Sequence, residues 1–219
     1  MPPPLLAPVL PVEEWADEST VDRQRDPPLR VWRVVPTRPK SAAPSWVVGQ
    51  LFHEAVATWS FPQSGFERWA ETRARSCGLT DPGQLYDAVR ETRKLLQRFH
   101  DHPLFREMES AERRLHELPY SLERVGTPSR SSGEGSLENG TIDVLYLCKG
   151  RWHIVEFKTD EIRDELELRQ VLDRRQYPAQ LRRYAQAVEQ LVGQRPDAQL
   201  CLLDLAGRIE MRPEEGPPT

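Results

Sequence analysis

Cysteine is scarce in this chain: Cys77, Cys148 and Cys201 are the only three among 219 residues, and no C-x-x-C pair occurs. Three scattered thiols exclude a disulfide framework, a zinc knuckle and an iron–sulfur cluster, and they fit a reducing, cytoplasmic setting. No G-x-x-x-x-G-K-[ST] stretch is present. There is therefore no ATP site of that kind, and the chain by itself is not an ATP-driven motor. Long apolar runs are missing too. The opening M-P-P-P-L-L-A-P-V-L-P-V has no basic leader and is broken by prolines, so it reads as neither a signal peptide nor a spanning helix, and no membrane partner is expected. An excess of positive charge is also absent, the formal net charge being −4. That sum neither announces nor excludes a nucleic-acid binder, because the local field decides and an acidic metal site lowers the total.

What is present fits one ordinary domain with tails. Hydrophobic residues at 38% and charged residues at 29% allow a real core with some exposed sequence around it. Residues 1–44 are rich in Pro, Arg and Asp and read as an extended arm or linker with a strand-like piece at Val31–Val35, or as plain disorder. Residues 45–212 form the expected folded domain, and 213–219 a disordered tail. Ser45 is placed as the N-cap of a first helix carrying Gly49 and His53. Helices are expected over Phe66–Cys77 and over Gln84–His100, the latter capped by Asp81 with Pro82 in its first turn. A short helix or turn follows at His102–Ser110. Glu112–Arg124 then reads as a strand that Pro119 confines to an edge or bulge, and residues 126–140 as a loop.

Thr141–Cys148 and Trp152–Lys158 are two apolar, β-branched runs joined by Lys149-Gly150, the pattern of a hairpin. Alternation along a strand puts Glu156 and Lys158 on one face, within reach of Asp143 on the neighbouring strand. Charges on an otherwise buried hairpin are costly, so they should be paired or hold a metal. Asp160–Gln176 is charge-dense and reads as a connection or a helix with a weak core face. Gln176–Gly193 is a helix ended by glycine, Ala198–Leu205 a buried strand and Arg208–Arg212 a short partner strand. The order predicts an α/β protein layered around a mixed sheet.

Asp143 with Glu156-Phe157-Lys158 matches the D…(D/E)-x-K signature. Gly49-Gln50-Leu51-Phe52-His53 fits a GxxxH helix, His116-Glu117-Leu118-Pro119-Tyr120 an upstream glutamate strand, and Gln180-Leu181-Arg182-Arg183-Tyr184 a QxxxY helix. Jointly, in this order, they resemble the PD-(D/E)xK nuclease superfamily. The likeness is to the RecB/AddA-type nuclease domain found at the C-terminus of UvrD-like helicase–nucleases, and it covers roughly Trp46 to Leu205. The sequence departs from that pattern in having Ile142 before Asp143 instead of proline, and Glu156 where such relatives often carry Asp. The four cysteines of the cluster-bearing AddB-like and Cas4-like relatives are absent.

The resemblance implies a restriction-endonuclease-like core and a Mg²⁺- or Mn²⁺-dependent nuclease acting on DNA ends or single strands with a helicase, in trans or in the full-length protein. It implies catalytic roles for His53, Glu117, Asp143, Glu156 and Lys158. The metal would be held by His53, Asp143, Glu156 and the backbone carbonyl of Phe157, with Glu117 completing or adjusting the site, and oxygen donors suit such a hard cation. Lys158 would orient water or stabilise phosphate charge. Gln180 and Tyr184, one helical turn apart, would hold the nucleic-acid backbone or brace Lys158. Tyr184 also reads as a core tyrosine with a bonded hydroxyl. Arg182 and Arg183, with Arg174 and Arg175, supply positive charge for DNA phosphates or form a solvated helix face. The competing function is a catalytically silent nuclease fold serving as a DNA-binding or assembly surface.

Overall fold

The computed structural model describes residues 42–123 and 137–214. The expectations for the strand-like piece at Val31–Val35 and for most of the arm, the 126–140 loop and the tail lie outside them. The hairpin forms as the sequence predicts. Strand β2 (Leu137–Cys148) turns through Lys149 and Gly150, both at positive φ (51° and 73°), into β3 (Arg151–Ile162). Two left-handed residues give the two-residue turn whose twist matches antiparallel strands. Around this hairpin lies a five-stranded sheet in the order β1 (Arg113–Glu123), β2, β3, β4 (Asp197–Leu205), β5 (Arg208–Pro213). Only the β3/β4 pair is parallel. Pro119 lies on the edge strand β1, where proline is tolerated.

Helices cover both faces, so the α/β core with a mixed central sheet stands as expected. On one side lie α1 (Ser45–Ala57), α2 (Phe66–Ser76), α3 (Pro82–Asp101) and α4 (Pro103–Glu109). Phe52, Leu96, Phe99 and Met108 from this layer bury against Val144, Tyr146, Val155 and Phe157 of the sheet. On the other side α6 (Tyr177–Val192) sets Leu181, Tyr184, Ala185 and Val188 on Ile142, Leu145, Ile154 and Leu200. Burying such an apolar side chain contributes about 1.5–3 kcal/mol. Both faces of β4 are covered, which is why Ala198–Leu205 reads as a nearly continuous apolar run. Helix α5 (Glu165–Arg175) buries only Leu168, in keeping with its charge-dense sequence.

Several boundaries differ from the sequence reading. Ser45 is the first residue of α1 and not its cap; Pro44 occupies the cap position and makes no side-chain bond. Residues 137–140, expected in a loop, open β2, where Gly140 pairs with Tyr120. A Cβ at Gly140 would lie 2.5 Å from the Tyr120 ring, so the absence of a side chain there lets the aromatic ring fold over the partner strand. Strand β3 runs on to Ile162 because β4 pairs with it as far as Leu205, past an irregularity between Lys158 and Glu161.

Candidate active site

The β2/β3 ladder stops at Val144 opposite Val155. Beyond that pair β2 stays with β1 while β3 stays with β4, so the two strands part at Asp143 and Glu156. Asp143 bridges the opening with its side chain: Oδ2 accepts from the Phe157 N–H at 2.8 Å. In an extended strand the N–H and C=O of one residue point the same way, so the Phe157 carbonyl faces this opening too. The Phe157 ring goes to the opposite side, packing edge-on against Phe52 and Phe99 at 5.4 and 4.9 Å between centroids. Anchoring the middle residue of Glu156-Phe157-Lys158 in an aromatic core fixes the direction of both charged neighbours.

Helix α1 brings the imidazole. His53 Nδ1 lies 3.2 Å from Asp143 Oδ1. Its ring can come this close because Gly49, one turn earlier, lacks a side chain; a Cβ there would sit 2.9 Å from Thr159 Oγ1. Burial pulls the His53 pKa down, but the hydrogen bond and charge of Asp143, with Glu156 and Glu117, outweigh it and raise the pKa overall. Glu117 comes from the edge strand at φ 47°, a left-handed conformation that costs an ordinary residue about 1–2 kcal/mol. The β1/β2 pairing skips the Glu117/Asp143 position. Burial and the Asp143 charge raise the Glu117 pKa, and His53 opposes them. One donor atom each from His53, Glu117 and Asp143 lie within 4.8 Å of one another, a spacing that suits a shared cation.

Glu156 is the buried member, with its side chain 5% exposed. Its Oε1 accepts from Lys158 Nζ at 2.9 Å, while Oε2 is buried and has no hydrogen-bond partner. Burial and the Asp143 carboxylate push its pKa up to about 7, against the pull of Lys158 and His53. An orphaned, buried carboxylate oxygen is costly unless a cation meets it. The donor set of carboxylates, a carbonyl and one imidazole fits a hard divalent ion.

Lys158 is held from the opposite layer. Its Nζ donates to Gln180 Oε1 at 3.0 Å, and Gln180 Nε2 donates to the Tyr184 hydroxyl at 2.6 Å. Tyr184 is 4% exposed and packs edge-on against Tyr120. Arg182 is exposed on α6, and Arg183 pairs with Glu138 at 2.6 Å. Arg174 and Arg175 are exposed at the end of α5. The sequence reading missed Tyr177 and Asp160. Tyr177 lies seven residues before Tyr184 and three before Gln180, and that shared helix face was the available signal.

The family model of the PD-(D/E)XK nuclease superfamily matches residues 29–215. Among solved structures, the chain is similar to a candidate exonuclease from Eubacterium rectale, with 15% identity and a TM-score of 0.46 over 76% of this chain and 58% of that one. It is also similar to protein VC1899 from Vibrio cholerae, with 12% identity and a TM-score of 0.29 over 73% of this chain and 47% of that one. The chain thus spans about half the length of each of these structures. No curated protein matches it. No helix among the described residues is long and apolar enough to cross a membrane. With the match extending over most of its length, the chain belongs to the PD-(D/E)XK nuclease superfamily.

Proposed function

We propose that the chain is a divalent-metal-dependent deoxyribonuclease, an exonuclease working on DNA ends or single strands beside a UvrD-like helicase in repair and recombination. The observation that carries the hydrolytic reading is the gathering of His53, Glu117 and Asp143 within 4.8 Å. Glu156 is not one of these three, but it feels the Asp143 charge and keeps a buried oxygen without a partner. The helicase association rests on the joint resemblance of the four motifs to RecB/AddA-type modules.

His53, Asp143, Glu156 and the Phe157 carbonyl, with Glu117, would hold Mg²⁺ or Mn²⁺, which when bound supplies Lewis acidity and neutralises phosphate charge. The remaining work falls to side chains. Lys158, a compact cation beside the carboxylates, stabilises charge as it develops on the phosphate and orients the attacking water. Gln180, engaged at both ends of its amide, fixes the lysine head, and Tyr184 fixes Gln180. Exposed Arg182 and half-buried Arg183 then contact the DNA backbone.

The test is incubation of the protein with end-labelled single- and double-stranded DNA in Mg²⁺, in Mn²⁺ and with chelator. Metal-dependent cleavage is expected, and Asp143→Ala or Lys158→Ala should each lower it by about 10²-fold or more. Equal degradation by wild type and both variants would assign the activity to a contaminant and defeat the reading.

A further inference from the structure

The Lys158 ammonium carries three N–H groups, and two are accounted for by Glu156 and Gln180. Its remaining neighbour is the face of the Tyr177 ring, whose centroid lies 4.2 Å from Nζ. Tyr177 is the first residue of α6 and is 9% exposed. Its hydroxyl donates to Asp160 Oδ2 at 2.8 Å. Asp160 stands two residues beyond Lys158 on β3, so the ring is tied to the very strand whose lysine it covers. The chain enters α6 through Gln176 at φ 55°, with Pro178 in the first turn, and this tight link between α5 and α6 sets where the ring falls.

The geometry points to Tyr177, anchored by Asp160, as a positioning residue that holds Lys158 in place through its π face. Without it the ammonium, on four rotatable bonds, has Gln180 as its sole uncharged anchor. Already bonded to Glu156, it would then be free to leave Gln180 and turn toward the Asp143 carboxylate. Misplacing a charged group by about 1 Å costs on the order of 10²-fold in rate. The inference rests on the nuclease reading for its catalytic consequence but not for the clamp itself.

Two measurements test it. In metal-free protein carrying ¹³C-labelled lysine, the Lys158 ε-methylene signal, identified by its loss in Lys158→Arg, should be displaced upfield by the ring. The displacement should vanish in Tyr177→Leu and persist in Tyr177→Phe. In the DNA assay, Tyr177→Leu should lower kcat by about 10- to 100-fold with KM within about 3-fold, and Tyr177→Phe should restore most of the loss. An unmoved Lys158 signal in Tyr177→Leu overturns the clamp. So does Tyr177→Phe losing as much as Tyr177→Leu while Asp160→Ala leaves both signal and rate unmoved, since neither the ring nor its tether would then be the acting part. A wild-type protein inert toward DNA but showing the expected signals would defeat the nuclease reading and leave the clamp standing.

Discussion

His102 works as a neutral ring: its Nδ1 accepts the Leu104 N–H at 3.2 Å and so starts α4. Protonation would replace that acceptor by a donor facing a donor. Burial pushes its pKa below the ordinary 6.5, so as pH falls the unfolded chain takes up the proton first. The stabilisation is complete above pH 6.5 and is lost as pH drops through the lower folded value. His116 carries the same sign, since burial and the Arg114 charge lower its pKa to about 4 and its Nε2 accepts from Arg114. Because Asn accepts at any pH, His102→Asn should show a smaller fall in Tm between pH 7 and pH 5 than the wild type. Calorimetry at several pH values checks this, and parallel slopes for the two proteins would refute the neutral cap. Sequence spacing singled out His53 from five histidines but said nothing of His102, whose role depends on which backbone N–H groups the fold leaves unpaired.

At the scale of elements, the closeness of α1 to β3 is set by one missing side chain. An alanine at Gly49 has a helix propensity better by about 1 kcal/mol, but its Cβ would collide with Thr159 Oγ1 at 2.9 Å. Overpacking of that kind costs about 1–3 kcal/mol. Gly49→Ala should therefore destabilise the wild type yet stabilise a Thr159→Ala background by about 1 kcal/mol, a change of sign that a denaturant-melt double-mutant cycle would reveal. The same sign in both backgrounds would mean that the helix sits further out. Local chemistry made α3 legible, since Asp81 caps it by accepting from Gln84 N and Pro82 opens it. It also made the hairpin legible through Lys149-Gly150. It failed at Asn139-Gly140, a turn dipeptide by composition, because the ring of Tyr120 and the partner strand override local preference. It failed again at Thr159–Ile162, whose polar sequence becomes strand because parallel β4 supplies the pairing. The motif residues were readable; the parting of β2 from β3 that gives them a shared space is a property of the ladder, not of any short stretch.

Across the whole molecule, the site draws on all three layers: carboxylates from the sheet, an imidazole from α1, and the lysine's supports from α6. Packing of either helical layer therefore decides whether these groups stay gathered, and the proposed cation binding would report on the fold as a unit. Folding without the ion gathers Glu117, Asp143 and Glu156 at a cost visible in the raised pKa values of Glu117 and Glu156. A ligand that binds only the folded chain stabilises it by about 2.7 kcal/mol at a hundredfold excess over Kd. For a domain of this size that is a rise in Tm of about 5–10 °C. Mn²⁺ should produce such a rise in the wild type, and chelator should reverse it. Asp143→Asn can still accept from Phe157 N but has lost the charge, and it should melt at the same temperature with and without Mn²⁺. An equal rise in both proteins would place the ion elsewhere and detach the His53–Glu117–Asp143 cluster from metal chemistry, even if DNA cleavage were observed.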